Sequence, residues 1–329
     1  MKKLALSIFA CFLCFAATPL LRAGGYHAFL WSAETGLQDL GTLGGSNSIA
    51  TAVNDHGTVV GYSETTEGPQ HAFLWTADTG MQDLGVPGNG FYDISNARSI
   101  NNRGEVSGVI ANMSGGLATF YWNAATGFTV LARGIPDAHG MNDFGAVTGT
   151  ESVGPLIQAY LWYPTQGRLR ALGILPGDMT SNGEDVNNLG NVVGYGYATS
   201  GNTHAIYWSP ATGMLDLGVL VAGDNGAALA INDNDEVVGY SSQTASGSGT
   251  YWSQSTGMVG LAPLPGRLYT SARGINNRGM IVGQSDTEAV VWESYTSVPR
   301  ALGTLPGGSP TSALSLNNRG QVVGYADVP

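Results

Sequence analysis

Charge is the scarcest commodity in this 329-residue chain: only 11 % of residues are Asp, Glu, Lys or Arg, less than half the usual quarter. That shortage argues against disorder, coiled coil and nucleic-acid binding. Cysteine is almost missing, and both copies, Cys11 and Cys14, lie within the first 23 residues. The only lysines, Lys2 and Lys3, are there too. Beyond residue 23 no disulfide, thiol nucleophile or thiolate metal site can form. What remains there is 10 arginines against 24 acids, a formal charge of −14. Such a body repels DNA, RNA and anionic lipid.

The first 23 residues differ from the rest. A basic start (Lys2, Lys3), the apolar run "LALSIFACFLCFAA" and small residues at Ala16, Ala17 and Ala23 have the layout of a secretory signal peptide. The run is too short and wrongly flanked for a spanning helix; a retained anchor is the alternative. The expectation is a leader at 1–23, export to periplasm or medium, and a single body at 24–329 with no membrane span.

What is plentiful is glycine (49) and repetition. "HAFLW" stands at 27–31 and again at 71–75. All seven tryptophans, from Trp31 to Trp292, recur at intervals of 40–47. A second series is headed by asparagine: Asn54, Asn101, Asn142, Asn187, Asn232, Asn276 and Asn317, each followed seven residues later by glycine (Gly61 to Gly324). Two independent markers in seven copies make a repeat protein.

Each unit reads as four short strands. In residues 48–85, "SIATAV" leads through the turn "NDHG" into "TVVGYS", a loop, "HAFLW", the turn "TADTG" and "MQDLG". Asx residues favour the turn and glycine takes its left-handed position; Asp235 replaces that glycine once, a conformation Asp tolerates. The near-continuous apolar runs "AFLW" and "TVVG" predict strands covered on both faces. A lone 45-residue sheet would need about 2,700 Å² of apolar burial to offset its ordering entropy, so the units must stack. The chain begins mid-unit and ends mid-unit, two strands missing at one end and two spare at the other. The expected fold is all-β: a seven-bladed β-propeller of four-stranded blades, its ring closed by pairing N- and C-terminal strands in one shared blade.

The stretch "HAFLW…TG…QDLGTLGGSNSIATAVNDHGTVVGYSETTEGPQHAFLW" resembles the bacterial extracellular HAF-repeat family, and the likeness extends over the chain after the leader. The resemblance implies a secreted, β-propeller-like repeat protein. That family brings no established activity, so no functional residue is transferred.

Function is expected on the loops of variable length, which join strands two to three and four to one and share a rim. Strand one should line the central channel. Three residues before the marker Asn its side chain varies, and Arg98, His139, Glu184 and Arg273, with Asp185, form the candidate polar set. Filling of a narrow throat by ion pairs competes with ligand contact there. Tyr92, Tyr269 and Asp224 are the loop candidates; the tyrosines could stack on a sugar or wedge the loops. His27, His71 and His204 occupy one template position and should lie apart, so no metal site is expected, nor any cofactor. No nucleophile elbow, phosphate loop or zinc-type histidine pair is present. The leading reading is an exported, monomeric, non-catalytic scaffold that binds a protein or carbohydrate. The alternative is a polysaccharide hydrolase or lyase using Asp137, His139, Glu184 or Asp185.

Overall fold

The computed structural model describes residues 24–329 apart from 89, 134–136, 154–155, 244–245 and 309–310; the expected leader lies outside the described residues. Among them there are 28 strands and no helix, so no helix is long and apolar enough to cross a membrane.

The strands assemble in antiparallel groups of four. Residues 44–85, 94–133, 225–260 and 270–301 each make such a sheet in chain order. Residues 137–173 and 178–218 make two more, linked by one parallel bridge between Ile157 and Thr180. The seventh mixes the two ends of the chain. Tyr26–Ser32 pairs antiparallel with Val322–Asp327, with Trp31 opposite Val322, and the strands Gly36–Asp39 and Thr311–Leu316 flank them.

Every sheet follows the same local chemistry. At the first turn Asn54 Oδ1 accepts the N–H groups of His56 and Thr58 at 3.0 Å, and Gly57 closes the turn at φ +81°. Asp235 takes that position at φ +59°. The glycine seven residues after each Asn is forced by close approach rather than by turn geometry: a Cβ on Gly61 would collide with the carbonyl oxygen of Ile49 on the first strand. The second turn uses a left-handed glycine in six units. Unit six has Ser297 instead, and its outer strand shrinks to Arg300–Ala301.

The core lies between neighbouring sheets. Ala28, Leu30 and Val323 of the mixed sheet share one buried cluster with Val59, Phe73 and Trp75 of the first unit. On its other face, Phe29, Trp31 and Val322 pack with Val282 and Val291 of the sixth. Burial on both faces is the physical reason for the unbroken apolar runs. A hydroxyl staples neighbours together. Ser95 Oγ receives the Ala72 N–H at 2.8 Å and donates to the Gly85 carbonyl at 2.5 Å. Ser48, Ser181, Thr270 and Thr311 repeat that bridge.

Candidate functional site

The seven marker asparagines form a hydrogen-bonded cycle. Each side-chain amide donates to the backbone carbonyl of the next unit's Asn at 2.8–3.2 Å, from Asn54 to Asn101 and onward. The last step returns to the start, Asn317 Nδ2 to the Asn54 carbonyl. The following residues make a second cycle. Asp55, Asn102, Asp143, Asn188, Asp233, Asn277 and Asn318 each donate their backbone N–H to the next unit's Oδ1. Oδ2 of Asp55, Asp143 and Asp233 receives two flanking Asn amides apiece. The two tiers line a cavity of about 180 Å³, into which Asp185 also projects. Those bonds hold the Asp55 carboxyl below its usual range: burial pushes it up, and Asn318, Asn102 and Arg319 outweigh that push.

The variable residues of strand one have a common cause. In every unit the register between first and second strands slips where they stand, between Ala50 and Ala52, Ala97 and Ser99, Ala138 and Met141, and Gly183 and Asp185. The same slip occurs between Ala228 and Ala230, Ala272 and Gly274, and Ala313 and Ser315. Thr51, Arg98, His139, Glu184, Leu229, Arg273 and Leu314 therefore sit in β-bulges, which release a side chain from the ladder and re-aim it.

Two of these residues meet. His139 Nδ1 lies 3.1 Å from Glu184 Oε2, and its Nε2 lies 3.1 Å from Asp137 Oδ2. Burial would lower the imidazole, but Asp137 and Glu184 carry it well above its ordinary value. Each ring nitrogen thus faces a carboxylate oxygen. Asp185, next in sequence, turns the other way. Its Oδ1 accepts the Val186 N–H at 2.8 Å and its Oδ2 the Ile231 N–H at 3.1 Å. Burial pushes its carboxyl up to about 7 despite those bonds, with help from the charges of Glu184 and Asp233. The room for it comes from the neighbouring unit, where Gly140 has no side chain: a Cβ there would stand 2.6 Å from Asp185 Oδ1. Arg98 is close enough to Tyr62 for its charge to oppose the rise that burial imposes on the phenol. Arg273 occupies the corresponding bulge of unit six.

The loop candidates do not join this cluster. Tyr92 is 3 % exposed and packs inside a core cluster with Ala118 and Phe120, so it offers no ring face to a ligand. The Tyr269 ring lies against Gly247, and its backbone N–H is held by Asp286 Oδ1 at 3.0 Å. Asp224 is buried and accepts the Ser241 hydroxyl at 2.8 Å. The three template histidines are clamps between third and outer strands: His27 Nδ1 meets Asp39 at 2.9 Å, His71 meets Asp83 at 2.9 Å, and His204 meets Asp216 at 2.7 Å. Among the described residues, no group of three or more His, Cys, Asp or Glu side chains is arranged to hold a metal.

The two asparagine tiers went unread in the sequence, although a signal was there. Any Asx could clamp the turn through Oδ1, yet Asp never heads it in seven copies. The amide is needed because Nδ2 has separate work, reaching the next unit.

No known family profile matches the chain, and no curated protein matches it. Solved structures do. The oligogalacturonate lyase of Vibrio parahaemolyticus aligns over 92 % of this chain and 96 % of its own, at 12 % identity and TM-score 0.55. The virginiamycin B lyase of Staphylococcus aureus aligns over 91 % and 99 %, at 10 % identity and TM-score 0.54. TolB from Acinetobacter baumannii aligns over 71 % of this chain at 16 % identity and TM-score 0.50; there the chain spans 62 % of the relative's length. These likenesses establish a β-propeller fold. At such identities they do not transfer an activity.

Proposed function

We propose that the seven four-stranded groups close into a seven-bladed propeller, and that the protein is an exported, non-catalytic scaffold of HAF-repeat type which binds its partner on the variable-loop rim. Residues 1–23 would direct its export.

One observation carries the choice of rim. Of eleven large apolar side chains exposed among the described residues, seven sit on the variable loops or the strand ends beside them, among them Met113 (82 %), Leu268 (89 %) and Val221 (58 %). Variable loops held on a rigid frame are where binding residues concentrate, and these side chains are ones a partner can bury. On the opposite rim the asparagine turns are engaged in their own hydrogen-bond cycles, and fewer exposed apolar side chains, Phe144, Leu189 and Val298, stand there. A hydrolase or lyase finds less support. Asp137 and Glu184 each face His139, and both oxygens of Asp185 accept backbone N–H groups, so these three carboxyls are engaged within the protein rather than set toward a substrate.

The test is a glycan array together with capture from the extracellular fraction, repeated with Met113→Ser/Leu156→Ser and with Leu215→Ser, which lies off the rim. A ligand whose affinity falls tenfold in the first variant and holds in the second supports the reading. A ligand lost instead with Phe144→Ser/Leu189→Ser, on the asparagine rim, contradicts it.

A further inference from the structure

Resting on that assignment of the rim, we infer that the partner is a polypeptide presenting a cationic surface with apolar side chains among its charges. The argument starts from how the charges divide between the two ends of the strands. Thirteen of the chain's 24 acids fall on the variable-loop rim, where arginine occupies only positions 133 and 267. The asparagine-turn rim has nine acids and six arginines. Two further acids, Glu184 and Asp185, and two arginines, Arg98 and Arg273, lie on the first strands between them.

The rims act independently. Most strands run five to seven residues, and at about 3.3 Å per residue they separate the rims by about 20 Å, more than two Debye lengths at physiological salt. An approaching molecule therefore feels the local surface and not the net charge. On the loop rim the exposed acids include Asp93 and, each bonded to its template histidine, Asp39, Asp83 and Asp216. Arg267 is already engaged by Asp286 and Glu288. This sign repels nucleic acid, acidic glycans and anionic lipid, and attracts lysine and arginine.

Charge alone would suit a small cation equally. The apolar tips decide against that: Met113, Val221 and Leu268 stand in water on other loops of the same rim. Burying them stabilises a complex by about 25 cal/mol per Å² of apolar surface removed from water, which requires apolar groups on the partner. A basic polypeptide carrying leucine- or valine-like side chains supplies both features.

The probes are three 14-residue peptides: one of lysine and leucine, one with its lysines replaced by glutamine, one with its leucines replaced by serine. Binding to the protein is read by fluorescence anisotropy at physiological salt, with hydrogen exchange to locate the contact. The lysine–leucine peptide should bind at least tenfold tighter than either analogue and protect loops 112–116 and 263–269. Its affinity should fall at least fivefold in Met113→Ser/Leu156→Ser, and as much in Asp39→Asn/Glu67→Gln/Glu288→Gln. Equal affinity for all three peptides overturns the inference, as does tighter binding to phosphatidylcholine vesicles. A neutral glycan found in the screen above, and lost with the rim variants, would end this inference and leave the rim standing. Peptide binding that follows Phe144→Ser/Leu189→Ser and ignores the loop variants would end both.

Discussion

Asn317 donates its side-chain amide to the carbonyl oxygen of Asn54 at 2.8 Å, across 263 residues of sequence. It is the seventh step of a cycle whose other six steps span only 41–47 residues each. The same Asn317 clamps its own turn, Oδ1 accepting the N–H groups of Arg319 and Gln321. One side chain thus shapes a hairpin and joins the last unit to the first.

Asn317→Asp separates the two tasks. The turn keeps its acceptor, while the amide that serves Asn54 O and Gln321 Oε1 is gone. The Asn54 carbonyl keeps the Gly57 N–H but loses its second donor, and a carboxylate oxygen now faces it and Gln321 Oε1; the change should cost about 1–3 kcal/mol, readable as a lower urea midpoint at unchanged slope. Arg319→Ala, on the exposed part of the same turn, should stay within about 0.5 kcal/mol.

Removing His139 leaves two carboxylates facing each other without a cation. Side-chain exposures of 23 % for His139, 10 % for Asp137 and 18 % for Glu184 make this a largely desolvated site. His139→Leu should cost about 3 kcal/mol. Adding Glu184→Leu should recover part of that loss, whereas independent sites would give a larger sum. Denaturant titration of the three variants decides.

Stability should fall as pH rises, in two separable windows. Asp185 keeps its proton in the folded state up to about 7, while unfolded it ionises near 3.8. The folded chain then binds more protons, so its stability declines from about pH 4 to about pH 7 and is level above. His139 is raised; its contribution is complete below about 6.5 and is lost as pH climbs through the folded value. Asp185→Asn should flatten the lower window; because its Nδ2 cannot accept the second backbone N–H, the readout is the lost pH slope and not the absolute stability. His139→Leu should flatten only the upper one. Melting temperature against pH, for wild type and both variants, checks the sign.

Ser95 serves two sheets through one hydroxyl, taking the Ala72 N–H and giving to the Gly85 carbonyl. Ser95→Ala strands a buried N–H and removes the donor to a partly buried carbonyl, which should cost about 1–3 kcal/mol. Ser95→Thr preserves the hydroxyl and should recover most of it, as Thr270 and Thr311 do at equivalent positions.

The repeat architecture was legible because it rests on side chains with one dominant use. Trp, the turn glycines and the Asn series mark strand ends and pack against neighbours, and their spacing alone delivers four-stranded units. The variable position of strand one could be read as well, down to Arg98, His139, Glu184 and Arg273. That a bulge at each such position frees them from the ladder could not, since a register slip leaves no mark beyond the small residues around it. Tyr92 and Asp224 misled because an aromatic or an acid in a glycine-rich loop looks exposed in sequence. In the fold the loop bends back, and both become its internal contacts. The pairing of His139 with Asp137 and Glu184 needed three dimensions, since Glu184 belongs to the next unit.

The proposed closed ring rests on the pairing of Tyr26–Ser32 with Val322–Asp327, in which Tyr26 faces Asp327. Beyond residue 23 the chain has no cysteine, so Tyr26→Cys/Asp327→Cys introduces a single possible bridge. Facing residues in antiparallel strands have Cα atoms about 4.5–5.5 Å apart, within disulfide reach. Under mild oxidation of dilute protein, the pair should close within one chain and raise the melting temperature. Free thiols, or bridges only between chains, would contradict the closed ring.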